Sequence, residues 1–233
     1  MIDINFKTYS DAGGGDPDAT SKTLRSYHKF LWSKPLPNGL IFELRDDVPE
    51  TYLHTHSELG EFTLGSDAIT HSYRNHKKKE KIKIIEQITN QANELFELGS
   101  TIGAYIIFPN KKIEGKPTIN QARGINAFID DRFDLTLECI RKFYLGEKSP
   151  LFDTLKRYAT FFNLFLDFKG YVDFFLLNDL LNNNLTIKFY LQFDDFNSIP
   201  SFKNTRDYMV YKERVTEFVH ARSQRMLDFC NKG

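Results

Sequence analysis

The chain is poor in cysteine: Cys139 and Cys230 are the two among 233 residues. They lie far apart and follow no metal or redox spacing, which argues against a disulfide framework and implies free thiols in a reducing compartment. Neither sign of charge is in excess. The 31 Lys and Arg residues match 31 Asp and Glu, leaving a formal net charge of zero. No global field gathers nucleic acid or an anionic membrane surface, so an anionic partner has to be met by a local patch. Long apolar runs are missing too. The most apolar stretch, Tyr158–Leu181, is broken by Asn163, Asp167, Lys169, Asp173, Asn178 and Asp179, too many polar groups for a lipid span of about 20 residues. The opening residues Met1-Ile2-Asp3-Ile4-Asn5 lack the basic start and apolar stretch of a secretory signal. The expected location is cytoplasmic, with no membrane partner. There is also no Ser-His-Asp order, nucleophile elbow, dinucleotide fingerprint or zinc-finger spacing.

What the chain has in quantity is aromatic residues, 22 Phe and 11 Tyr, enough apolar area to build a large core. The expected fold class is α+β (mixed α/β): one helix-rich domain over residues 1–233 around a small mixed sheet of about four to six strands. Residues 1–75 are expected to form a helix-plus-hairpin subdomain at its N-terminal end. Helical spacing of Leu24, Tyr27, His28 and Leu31 predicts a first helix over 20–33, and short strands are expected over 40–44, 51–56 and 61–65. A helix is expected over 80–98, entered through an exposed basic stretch, Arg74–Lys83. Ile102–Phe108 reads as a strand buried on both faces at the centre of the sheet. One long helix is predicted from Thr118 to Leu145, and another begins at Ser149 and Pro150, with Gly170 marking a break. Leu185–Phe193 reads as a strand, and 205–229 as the final helix.

Several segments together resemble a known family: Asp16-Pro17-Asp18, Tyr27-His28-Lys29, Leu31-Trp32-Ser33-Lys34-Pro35-Leu36-Pro37, Thr118-Ile119-Asn120-Gln121-Ala122-Arg123-Gly124, Asp131–Arg141 and Gly170–Leu177. They are similar to a bacterial family of unknown function, DUF6994, over nearly the whole chain. The resemblance implies a bacterial, single-domain protein and carries no activity or site residues with it.

The candidate chemistry comes from the residues themselves. On a helix running from Thr118, Asp131, Asp134 and Glu138 fall within about 60° of one another, with Arg123 and Arg141 beside them. Three carboxylates on one face suit a divalent metal or acid–base work; the alternative is a solvated face laced with ion pairs. In the last helix Arg222 and Arg225 intrude on the apolar stripe of Tyr211, Val215, Phe218, Met226 and Phe229. Buried guanidinium groups need compensation, and the expectation is that both turn toward Asp131, Asp134 and Glu138, with Arg123 at the edge of the same site; the alternative is that their heads reach water. His28 on the first helix is a candidate base or a hydrogen-bonded core histidine, with Trp32 and Lys34 near enough to line a pocket.

His54 and His56 share a strand face, a weak metal pair that Glu58, Glu61 or Asp67 could complete. The Gly13-Gly14-Gly15 loop is surrounded by Asp11, Asp16 and Asp18, which repel phosphate, so a helix cap or capped turn is the expected role. Two functional readings stand. One is a small-molecule enzyme or binding protein whose internal Arg and carboxylate site takes an anionic, nucleotide or phosphate-containing ligand. The other is a non-catalytic interaction or regulatory module. Nucleic acid is not an expected partner, because no aromatic is interleaved with Asn75–Lys81 to stack bases.

Overall fold

The computed structural model describes residues 2–57, 60–74 and 79–232. A short 3-10 turn, Thr8–Asp11, leads into α1 (Pro17–Thr20) and α2 (Lys22–Trp32). Next come the two-residue strands β1 (Lys34–Pro35) and β2 (Ile41–Phe42), then β3 (Leu53–Ser57) and β4 (Gly60–Ala68). Helices α3 (Lys79–Ile85) and α4 (Thr89–Gly99) precede β5 (Tyr105–Pro109), and α5 (Ile119–Ile125) and α6 (Phe133–Tyr144) follow it. The chain closes with α7 (Phe152–Arg157), α8 (Ala159–Asn163), α9 (Phe168–Phe174) and the long α10 (Thr205–Lys232). Among the described residues no helix is long and apolar enough to cross a membrane.

The class is α+β, as the residue pattern predicts, but the expected mixed sheet is two small antiparallel ones: β1 with β2, and β3-β4-β5 in that order. Strand β5 lies at an edge of its sheet rather than at the centre, yet every residue of it is buried. Helix α5 packs against it, and α10 crosses the 3-10 turn Ile102–Ala104 just ahead of the strand. Gly103 permits that crossing, because a Cβ there would stand 2.1 Å from Ser223 Oγ and 2.9 Å from the Val219 carbonyl.

One hydrophobic core draws on residues from Ile2 to Met226. At its densest, the Phe165 ring lies 5.3 Å from Tyr171, 5.0 Å from Phe174 and 5.3 Å from Phe175, in the edge-on and tilted arrangements that aromatic quadrupoles favour. Gly170 does not break a helix here. It sits inside α9, whose N-terminus is capped by the Asp167 carboxylate accepting from the Gly170 N–H at 2.7 Å. A side chain at Gly170 would meet the Phe165 carbonyl at 2.1 Å.

The helix expected over 118–145 is two helices. Asn126 accepts from the Phe128 N–H at 2.9 Å, and Asp130 and Asp131 adopt left-handed backbone at φ 51° and 59°, a conformation short polar side chains tolerate best after glycine. The link between α5 and α6 keeps the apolar phase on both sides, so periodicity alone does not reveal it. The helix expected over 80–98 is likewise split by a 3-10 turn at Glu86–Ile88. Ser149 and Pro150 stand outside α7, which begins at Phe152.

Leu185–Phe193 is not a strand. Its first half turns back on residues 180–182, with a single antiparallel bridge between Ile187 and Leu181, and beyond it side chains take the backbone groups: Asp134 Oδ2 accepts from the Tyr190 N–H at 2.8 Å, and Arg214 Nη1 donates to the Phe189 carbonyl at 2.7 Å. The Phe189 carbonyl and the Tyr190 N–H, satisfied this way, are not open to a neighbouring strand.

Candidate functional site

A cleft of about 280 Å³ opens between α1, the segment leaving β4, and α4. Asp18, His71, Tyr73, Arg74, Phe96 and Tyr105 contribute to its lining. Asp18 arrives there because Asp16 caps α1, accepting from the Asp18 N–H at 3.1 Å. Asp18 in turn accepts from the Ala68 N–H at 3.3 Å, which ties α1 to the end of β4.

Immediately behind this wall lies a buried ionic knot. Arg123 on α5 donates from Nη1 to Asp67 Oδ2 at 2.5 Å and to the Ala68 carbonyl at 3.1 Å. From Nη2 it reaches the Asp131 carbonyl at 3.1 Å, and from Nε the Thr136 hydroxyl at 3.3 Å. Asp131 Oδ1 also lies 3.1 Å from Nη1, while Oδ2 is 3.5 Å from His71 Nδ1. The left-handed backbone of Asp131 thus presents one carboxylate to both a guanidinium and an imidazole. Next to it, Lys81 pairs with Asp130, and the Tyr73 hydroxyl donates to the Asp130 carbonyl at 3.1 Å.

Burial governs the proton affinities here. It pushes the Asp18 carboxyl up to about 7, with the Asp16 charge adding to the effect. It pushes Asp67 upward as well, against the pull of Arg123. His71 is lowered by burial, opposed by Asp131. The cleft therefore presents a carboxyl inclined to hold its proton and an imidazole inclined to be neutral, a combination suited to proton donation and acceptance near neutral pH.

A consequence follows for stability. Asp18 has a folded pKa above the roughly 3.9 of an exposed aspartate, so the folded state binds this proton more tightly than the unfolded chain does. Its contribution is complete below about pH 4 and is lost as pH rises through about 7. Between those values wild-type stability should fall with rising pH more steeply than that of Asp18→Asn, which still offers an oxygen to Ala68. Urea midpoints measured across this range check it; parallel profiles for the two proteins would exclude a raised Asp18.

The residues singled out by sequence are distributed over the molecule. Of the carboxylates expected on one face, only Asp131 reaches this site. Asp134 is fully buried in a bidentate pair with Arg132, and Glu138 is held by Arg141 at 2.7 and 2.8 Å. Arg222 is indeed inside, but it faces no carboxylate. It donates to the carbonyls of Phe175, Gly103 and Tyr105, and burial pulls its pKa down to about 9. Arg225 does not turn inward; its side chain is 45% exposed and is paired with Asp179. The division of α5 from α6 is the cause, since it takes Asp131 off the helix that carries Asp134 and Glu138.

His28 is a satisfied core histidine. The Trp32 indole N–H donates to Nδ1 at 3.0 Å, so Nε2 carries the proton and donates to Ser66 Oγ at 3.1 Å. Burial lowers its pKa to about 3, with Arg222 contributing. His54 pairs with Asp47 at 3.2 Å, and His56 stands exposed further along β3. Glu58 lies outside the described residues. Among the described residues no group of three or more His, Cys, Asp or Glu side chains is placed to hold a metal ion. In the basic stretch, residues 75–78 are outside the described residues; Lys81, expected to be exposed, is buried against Tyr73 and Phe202 beside Asp130. Lys34 lies in a different cleft, among aromatic rings.

His71 and Asp67 carry no periodic signal, because their importance arises where an irregular segment meets the α5–α6 link. A family of unknown function, DUF6994, has a model that matches residues 2–226. The chain belongs to this family. No curated protein and no solved structure matches it.

Proposed function

We propose that this member of the family binds a small polar molecule in the cleft beside Asp18 and His71 and acts on it by proton transfer. The observation that carries the reading is the convergence of these two groups on one cleft, with Asp131 orienting the imidazole from behind. His71, kept neutral, serves as the base, and Asp18, kept protonated, serves as the acid.

The same geometry argues for an uncharged or cationic ligand over the anionic one expected from the arginines. Arg123 is already engaged with Asp67 and Asp131, Arg222 with carbonyls, and Arg225 with Asp179. Asp16 sets a carboxylate in the cleft lining against Arg74, whose guanidinium is stacked 3.4 Å from the centre of the Phe96 ring.

A thermal-shift screen of neutral and cationic metabolites, with phosphosugars and nucleotides as the contrasting set, tests this. A ligand at about 100 times its dissociation constant stabilises the fold by roughly 2.7 kcal/mol. That gain is expected from the first set and is expected to be lost in Asp18→Asn and His71→Gln. Stabilisation by the anionic set alone, unaffected by either substitution, would overturn the reading.

The alternative of an interaction module is favoured by one observation. A separate cleft of about 380 Å³ is flanked by Phe128, 39% exposed, and Ile199, 56% exposed. Under that reading Ile199→Asp abolishes partner binding while Asp18→Asn leaves it intact.

A further inference from the structure

The turn Lys34-Pro35-Leu36-Pro37 leaves α2 and pairs through β1 with β2, Lys34 opposite Phe42. This register places the Lys34 ammonium position among three aromatic rings, 4.9 Å from the centre of Trp32, 4.7 Å from Phe174 and 4.7 Å from Phe229. Among the described residues no carboxylate pairs with Nζ and no hydrogen bond holds it. The rings come from α2, α9 and α10, so the amine occupies a junction of three elements. It lines an open groove of about 480 Å³ whose other walls are largely apolar, including Pro35, Pro37, Leu176 and Phe229.

We infer that Lys34 is a nucleophilic amine that captures small apolar aldehydes or ketones in this groove as an imine. The nitrogen lone pair attacks the carbonyl carbon, and the C=O pair moves to oxygen, which takes up the proton lost from nitrogen. The proton remaining on nitrogen then leaves with that hydroxyl as water, and the nitrogen lone pair closes C=N. The sum is amine plus carbonyl giving imine plus water, with no oxidant or reductant required. An apolar carbonyl fits better than an anion, because an anion would find no second donor on Pro35, Pro37, Leu176 or Phe229.

Two charged groups bear on the amine. Arg222 approaches from α10, and Asp173 lines the groove from α9 but is paired with Lys169 and accepts from Asn178 at 2.7 Å. Burial, reinforced by Arg222, lowers Lys34 to about 7. A large fraction is therefore unprotonated at neutral pH, where an ordinary lysine is almost wholly ammonium.

The test is reductive trapping of the full chain with benzaldehyde and cyanoborohydride at pH 7, followed by peptide mass spectrometry. Lys34 is expected to be alkylated about tenfold or more faster than the exposed Lys22 and Lys188. Its rate should level off above about pH 7 while theirs keeps climbing. Phe229→Ala, which opens the cage to water, should return Lys34 toward the Lys22 rate. A Lys34 rate no greater than that of Lys22, or a pH profile parallel to it in the wild-type protein, would overturn the inference whether or not the variant folds. Neither result bears on the Asp18 and His71 cleft.

Discussion

Replacing Arg222 by alanine is expected to destabilise the fold by about 3 kcal/mol or more, because three buried carbonyls lose their donor and each unsatisfied group costs about 1–3 kcal/mol. Nη1 spans the carbonyls of Gly103 at 2.9 Å and Tyr105 at 2.8 Å, and Nε and Nη2 both reach Phe175 at 3.2 and 3.1 Å. The guanidinium thus substitutes for secondary structure where the 3-10 turn, β5 and the end of α9 leave oxygen atoms facing inward. Arg222→Met restores the volume but not the donors, so it should recover only part of the loss. Arg222→Lys supplies one ammonium for carbonyls arranged around a planar fork and should also fall short. Urea unfolding followed by far-ultraviolet circular dichroism measures all three. A loss below about 1 kcal/mol for the alanine variant would mean water replaces the guanidinium without penalty.

An effect of similar size is expected at Asp134, for a different reason. Its carboxylate and the Arg132 guanidinium are both buried and joined by two hydrogen bonds, and the same carboxylate accepts from the Tyr190 N–H. Asp134→Ala leaves a buried cation and an unpaired N–H, a combination expected to cost about 3–5 kcal/mol. Removing both charges as Arg132→Met with Asp134→Leu should cost clearly less than the single alanine change, since the desolvation of the charges disappears with them. If the double variant proves as unstable as the sum of its singles, the two residues act independently and the pairing argument fails.

The legible part of the fold was the part written in hydrophobic period. The first helix, the strand pairs of residues 41–68, the buried run ending at Phe108 and the final helix all follow from spacing. The illegible part was long-range polar satisfaction. Leu185–Phe193 has strand composition, but Asp134 and Arg214 claim backbone groups at Phe189 and Tyr190. Asp131 has helix phase, but its left-handed backbone sets it in a link. Arg222 is legible as internal from its place in an apolar stripe, while its partners, being main-chain carbonyls, leave no trace in residue identity. Of the candidate site, the residue pattern points to Asp131 and Arg123, which lie in the ionic knot behind the cleft. His71 and the acidic role of Asp18 in the cleft, and Asp67 in the knot, follow only from tertiary geometry.

The side chains that hold Leu185–Phe193 have a bearing on self-association. This segment is rich in β-branched and aromatic residues, the composition that pairs edge to edge between copies when its backbone is exposed. In the fold, Asp134 and Arg214 occupy backbone groups at Phe189 and Tyr190. The guard against intermolecular β-pairing is thus a carboxylate and a guanidinium supplied by two helices, where many proteins use proline or a bulge within the segment itself. Loss of either contact would leave backbone groups at Phe189 or Tyr190 open to pairing with a second copy, so variants at Asp134 or Arg214 are expected to aggregate more readily than variants of equal stability elsewhere.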